Sequence, residues 1–409
     1  MITQFTDPVQ YGDFGTWLKS VATLRQEGPL HRVEVEGFDP FWVAIGYDTV
    51  VEIERQPDLF HNAPQPILTN QEGIRLQSES GVQPRTLIQM DAPDHPRYRR
   101  FGYEWFRPAN LDRLQPRLDE LAEHVVERMR QHGGRCDFAA DIALHYPLRV
   151  ILEILGLPES DYPLMLKLTQ DYFGSEDPSI ARNGDVSRAG EVQILQDLFD
   201  YLHALTADRR ARPTDDLAGA IAAGTIDGEP FPPLETASYH MIIATAGHET
   251  TSKAIAGGMW ALIEHPAQRR LLTEQPQLIP GAVEEMLRYV SPVRHMMRTA
   301  TADTRIAGQK IAAGDWILLS YPAANYDPAR FDDPMAFDVL RANASSQLSF
   351  GYGRHFCLGA QLARMEIRTL FRHLLPRLHE IDFDGEPVMT RATFVGGPKW
   401  LPIRYVLEA

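Results

Sequence analysis

The chain has 409 residues, 40 Lys and Arg against 55 Asp and Glu, and a formal net charge of −15, which excludes a general nucleic-acid role. Its two cysteines, Cys136 and Cys357, stand far apart in dissimilar contexts, so no disulfide framework is expected and a reducing cytosol fits. The opening residues lack an apolar core behind basic residues and hold no run of roughly eighteen apolar residues, so the sequence predicts a soluble, cytoplasmic protein with no membrane anchor.

In chain order, the first sixty residues predict a helix over 17–25, strands over 32–36 and 41–45, and a helix over 48–56. From 62 to 84 Pro, Gly, Gln, Asn and Ser recur without period, which reads as a long loop. An acidic cap at Asp91 and a proline then precede a helix carrying His95 and Arg99 four apart on one face, which on spacing alone fits a solvated basic face equally well. Residues 111–210 read as mostly amphipathic helix, strongly apolar over 139–155 and broken by a polar stretch at 174–179.

The pattern over 236–265 is too long for an ordinary surface helix and apolar on nearly every face around 241–246, so it should be buried. Gly247-His248-Glu249-Thr250-Thr251 lies midway, where glycine weakens a helix and an acid and hydroxyls need partners. A zinc-protease H-E-x-x-H helix is excluded because Ser252 occupies the closing position. Hydroxyls bonding back to carbonyls one turn earlier, bending the helix, remain compatible with a functional reading. Glu285 and Arg288 lie three apart on a helix and alone would be an ordinary surface pair. A hairpin follows, with strands near 304–306 and 316–320 turned at 313–315, and a strand pair closes the chain over 391–405.

The stretch 350–359 carries glycines at 351, 353 and 359 and the cysteine at 357, just ahead of a helical pattern over 361–375. A helix N-terminus favours thiolate over thiol at Cys357, the form that ligates metal or attacks carbon. A phosphate loop fails at Phe356, no C-x-x-C spacing exists, and a lone buried packing cysteine is the bland alternative.

Taken whole, Phe350-Gly351-x-Gly353-x-His355-x-Cys357-x-Gly359 resembles the cysteine-ligand loop of the cytochrome P450 family at each fixed position. Further stretches resemble family landmarks in the family's order: His95-x-x-x-Arg99, Ala246-Gly247-x-Glu249-Thr250, Glu285-x-x-Arg288, Arg298 and Arg341. The resemblance implies a mainly α fold with a small β region: one domain over 1–409, a triangular prism of helices around a buried haem. Within it 236–265 would be a long central distal helix, 62–84 a loop roofing the substrate pocket, and 160–206 a mobile helix pair above it.

Residue by residue, it implies Cys357 as ligand to the iron of haem b, with His95, Arg99 and Arg298 on the propionates and Phe350, Gly351, His355, Ala246 and Gly247 against the cofactor. Thr250 would steady dioxygen and Glu249 relay protons, while Glu285, Arg288 and Arg341 lock the core. Ile242, Thr245, Ala246, Val293, Met296, Phe394 and Val395 would approach substrate, and His295 a propionate. Most bacterial members carry arginine where this chain has Tyr326, a local departure.

The implied activity is a haem-thiolate monooxygenase using O2 and NAD(P)H electrons passed by a reductase and an iron-sulfur ferredoxin or flavodoxin, docked near Arg97, Arg100, Arg354 and Arg364. Stretches such as 319–325 and 394–399 look like the terpineol-hydroxylating branch, so a small hydrophobic substrate, a monoterpenoid or alkylated aromatic, ranks first. Larger steroids or fatty acids, a peroxide-driven haem enzyme and a haem sensor stay open. A hydrolase using Cys357 and His355 is disfavoured, since residues two apart at a helix start cannot readily face each other.

Overall fold

Helices dominate the computed structural model, which describes residues 2–81 and 84–408. Their apolar residues recur at helical spacing and form single buried stripes. Gln115–Gln131, for example, buries Leu118, Leu121, Val125 and Met129 and leaves its acids and arginines outside. Such stripes from His145–Leu155, Tyr162–Phe173 and Arg188–Ala211 join the same large apolar cluster.

Six further helices position the site: α1 (Tyr47–Glu54), α2 (Asp94–Trp105), α3 (Pro233–Ala246), α4 (Glu249–Glu264), α5 (Ile279–Val290) and α6 (Ala360–Leu374). The β region is small. Its main sheet has the order β1 (Leu30–Val33), β2 (Phe41–Ala44), β5 (Trp316–Ser320), β4 (His295–Ala300), β3 (Phe60–His61), antiparallel except for the parallel β2–β5 pair. Alternation sends Val43, Met297 and Leu318 to one face, against Trp17, and Ala44, Ile317 and Leu319 to the other, against α1. Among the described residues no helix is long and apolar enough to cross a membrane.

Three expectations are corrected. Within 62–84 the chain is not all loop, because Gln71–Ser80 is a helix capped by Asn70, whose side chain accepts from the Gly73 N–H at 2.8 Å, and ended by Gly81 at φ 67°. Ile74 and Leu76 are its only large apolar residues, two apart and half-buried, so it carries no apolar stripe; residues 82 and 83 of the same stretch lie outside the described residues.

The pattern over 236–265 is two helices, not one. A Cβ at Gly247 would stand 2.4 Å from Ile151 Cδ1, and His248 Nε2 donates to the Leu144 carbonyl at 2.8 Å, pinning the chain where α3 gives way to α4. The expected hairpin is also re-paired. Thr304–Ile306 turns at Ala307-Gly308 onto Gln309–Ile311, while β5 enters the main sheet beside β4. A tight two-residue turn with positive φ at both positions closes the shorter hairpin first.

Behind the 350–359 stretch, Glu285 accepts from Arg288 Nε and Nη2, both at 2.7 Å, from Arg341 Nε at 3.1 Å and from the Asp338 N–H at 3.1 Å. Arg288 also donates to the carbonyls of Asn325, Pro334 and Ala336. Tyr326 belongs to this cluster: its ring lies 5.2 Å from the Arg288 guanidinium and its hydroxyl donates to Tyr289 O at 2.7 Å. Glu285→Ala strands two guanidinium groups that are nearly fully buried, and should cost about 3–5 kcal/mol in urea unfolding. A loss under about 1 kcal/mol would mean that the cluster is not a fixed point of the fold.

Candidate functional site

The wall around Cys357 is shaped by backbone that only glycine tolerates. Gly351 and Gly353 both sit at φ 68°, and a Cβ on Gly353 would stand 2.6 Å from the Glu54 carbonyl oxygen. The Cys357 N–H donates to Phe350 O at 2.9 Å, closing the loop just before α6. Cys357, Phe350, Gly351 and His355 thereby line one side of a cavity of about 230 Å³.

The α3–α4 break contributes a further part of the lining, with Ala246, Gly247, Thr250 and Thr251. Thr250 Oγ1 donates to Ala246 O and Thr245 Oγ1 to Met241 O, each at 2.8 Å, so hydroxyls do bond back one turn while still bordering the cavity.

His95, Arg99, Arg298 and His355 also line the cavity and lie close enough to act on one another electrostatically. The two imidazole rings are 4.1 Å apart, and Arg99 donates to Phe356 O at 2.6 Å. Burial, with the charges of His355 and Arg99, pushes His95 down to about 3, so it is a neutral donor near pH 7. His355 lies 3.6 Å from Asp91, too far for a hydrogen bond. Burial would raise the Asp91 carboxyl, but His355 and the N–H groups of Ala63 and Asn62 outweigh it and bring it to about 2. His95 Nδ1 and His355 Nε2 are buried without a hydrogen-bond partner among the described residues.

Burial pushes the Cys357 thiol up; the N–H groups of Gly359 and Ala360 and the charges of Arg99 and Arg364 pull the other way without prevailing. The helix start alone does not make the thiolate expected there. A metal cation on the sulfur would, since a coordinating thiol is deprotonated outright.

Ile242, Thr245, Ala246, Val293, Met296, Phe394 and Val395 all line the same cavity. Two expected groups do not. Glu249 is buried against Lys253 Nζ at 3.0 Å; burial would raise its carboxyl, but Lys253 and His248 hold it below the usual value. His295 donates to Thr393 O at 2.9 Å and accepts from the Leu68 N–H at 2.9 Å, tying strand to loops instead of facing an anion. Burial holds that imidazole at about 4, neutral as this pairing requires.

Sequence reading missed Ile67, Leu87, Tyr172 and Phe173 in the lining, and Lys253 behind Glu249. Lys253, one turn after Glu249 on a buried helix, was a readable signal. The others arrive from loops and helices with no local mark.

A flat macrocycle with a central metal and two carboxylates fits these residues. One cavity is lined by the Cys357 sulfur, by the small residues Ala246 and Gly247, and by two guanidinium groups together with two imidazoles that each carry a buried nitrogen without a partner among the described residues. Cys357, His95, Arg99, Arg298 and His355 could hold it.

Comparison with known proteins agrees. The family pattern described as Cytochrome P450 matches residues 190–393. The chain is 40% identical over 409 residues to Cytochrome P450-terp of a Pseudomonas species, covering 97% of this chain and 95% of that protein. It is 35% identical to the methyl-branched lipid omega-hydroxylase of Mycobacterium bovis, covering 94% and 90%. The crystal structure of CYP108D1 from Novosphingobium aromaticivorans superposes with a TM-score of 0.91 at 39% identity, covering 99% and 98%. The chain belongs to the cytochrome P450 family and is a P450 monooxygenase.

Proposed function

We propose that this monooxygenase hydroxylates a small, neutral, hydrophobic molecule, a monoterpenoid or alkylated aromatic, with O2 and electrons from a ferredoxin or flavodoxin and its reductase. The observation that carries this reading is the make-up of the lining: its two arginines, Arg99 and Arg298, act on the buried His95 and His355, while Ile67, Leu87, Tyr172, Ile242, Val293 and Phe394 are apolar or aromatic. Among the described lining residues no other arginine or lysine stands ready to anchor a carboxylate. Similarity to Cytochrome P450-terp supports the terpenoid choice; similarity to the methyl-branched lipid omega-hydroxylase makes a longer lipid the second reading. The same reading takes the whole chain as one soluble cytoplasmic domain.

When bound, haem b with a Cys357 thiolate ligand supplies the activation of O2 for inserting one oxygen atom into a C–H bond. The chain's own part is to hold, shield and supply protons. Arg99, Arg298, His95 and His355 would hold the cofactor's carboxylates, and the small side chains of Ala246 and Gly247 would leave room beside it. Thr250 presents its hydroxyl at the cavity wall and can trade its bond to Ala246 O for one to water or a bound ligand. Glu249 starts clamped to Lys253, so it brings protons inward only by turning away from that ammonium.

Electron delivery needs an exposed cation near Cys357. Arg354 is paired with Asp58, Arg364 with Glu284, and Arg97 with Asp94 and Asp227, so most of the expected basic patch is locally neutralised. Arg100 is exposed and makes no ion pair among the described residues, which leaves it as the strongest docking charge.

Three outcomes are expected. Neutral cyclic monoterpenoids or alkylbenzenes should convert the iron to high spin in an absorbance titration, with long-chain fatty acids weak; a response confined to carboxylated ligands would overturn the substrate reading. Thr250→Ala and Glu249→Gln should each lower product formation by about 10²-fold or more with the haem spectrum intact, and an unchanged rate would remove both from proton supply. Arg100→Glu should slow reduction by an acidic ferredoxin and flatten its salt dependence; stopped-flow rates equal to wild type would place the docking surface elsewhere.

A further inference from the structure

Glu54 ends α1, a helix whose Val50, Val51 and Ile53 belong to an apolar cluster, and its side chain is buried. An acid there runs against both its apolar neighbours and the helix dipole, which disfavours negative charge at a C-terminus. Its partners come from three other segments. Arg298 Nη2 in β4 donates to Oε1 at 2.9 Å, Tyr321 just after β5 donates its hydroxyl to the same oxygen at 2.8 Å, and the Tyr352 N–H supports the carboxyl from the cysteine loop. Oε2 is buried with no hydrogen-bond partner among the described residues.

The cavity lies just beyond. Arg298, Tyr321 and Gly351 line it, and a Cβ on Gly351 would come within 3.5 Å of Oε1 and 3.2 Å of the Tyr321 hydroxyl. The other charged groups on these segments face elsewhere: Arg55 donates to the Tyr352 hydroxyl, Arg354 to Asp58, and His355 faces Asp91. Glu54 therefore acts on the cavity through Arg298.

We propose that Glu54 is a positioning residue that holds Arg298 from behind and links its own protonation to reduction of the iron. The inference rests on the haem reading above and adds to it a residue that contacts neither sulfur nor substrate. Two physical facts support it. First, Arg298 Nη1 is engaged by Met297 O and Nη2 by Glu54, so two fixed bonds orient the guanidinium that faces the cavity. Second, burial raises the Glu54 carboxyl to about 7 against the pull of Arg298, so it changes charge near neutrality.

The sign follows. Below about pH 7 Glu54 is neutral and the Arg298 charge acts undiminished, favouring the ferrous state; above it the carboxylate offsets that charge and favours the ferric state. Reduction must in turn make Glu54 bind its proton more tightly, by reciprocity. Stability moves in the same window. The folded carboxyl lies above its unfolded value near about 4.3, so the Glu54 contribution is full below that value and is lost as pH rises through about 7.

The test is spectroelectrochemical titration of the haem-loaded protein from about pH 5.5 to about pH 8.5, for wild type, Glu54→Gln and Tyr321→Phe. Wild type minus Glu54→Gln should give a potential difference that grows as pH rises through neutrality, by at least about threefold in the ferrous-to-ferric constant, or about 28 mV at 59 mV per decade. Tyr321→Phe, which removes a donor to the carboxylate, should move that transition to higher pH. Parallel profiles for wild type and Glu54→Gln, or a Tyr321→Phe transition at the wild-type pH, would overturn the linkage. Failure of wild type to take up haem would show in the loading spectrum and sink the haem reading instead.

Discussion

His248 reaches sideways from the centre of the molecule to the Leu144 carbonyl at 2.8 Å while Gly247 packs on Ile151, and these contacts hold a buried helical run open at its middle. Unbroken, the run would present a closed cylinder to Cys357. Broken, it gives Ala246, Gly247 and Thr250 to the lining of the cavity that Cys357 also lines. The glycine-rich loop is its counterpart, since positive φ at Gly351 and Gly353 lets the chain pass close to α1 and carry Cys357 beneath the opening.

Electrostatics divides the same space. Burial lowers the His95 imidazole and raises the Cys357 thiol within it. Three carboxylates around it are held by partners: Glu249 by Lys253, Asp91 by N–H donors, Glu285 by two arginines. Apart from these groups the lining is largely apolar.

Much of the fold was legible because the family landmarks are local. The loop 350–359, His95-x-x-x-Arg99 and Glu285-x-x-Arg288 each draw their meaning from spacing within ten residues. The misreadings have physical causes. The 71–80 helix has caps but no apolar stripe, the helical pattern over 236–265 runs through the break because the residues on both sides are equally apolar, and β5 pairs at a distance that periodicity cannot report. At the site, Cys357, Thr250, His95, Arg99, Arg298 and His355 stand out in the chain as candidates, and all of them line one cavity. The inward or outward aim of Glu249 and His295 could not be read there, since Lys253 and Leu68 decide it through side-chain geometry. Glu54 carried no motif at all; only its burial beside Arg298 marks it.

Thiolate ligation of an iron porphyrin by Cys357 underlies the proposed function. The most direct measurement is the absorption spectrum of the haem-loaded protein, reduced and exposed to carbon monoxide, beside that of Cys357→Ser. The account predicts a strongly red-shifted Soret band in the native protein and its loss in the variant. A native spectrum without that band, or a variant that keeps it, would contradict thiolate ligation by Cys357.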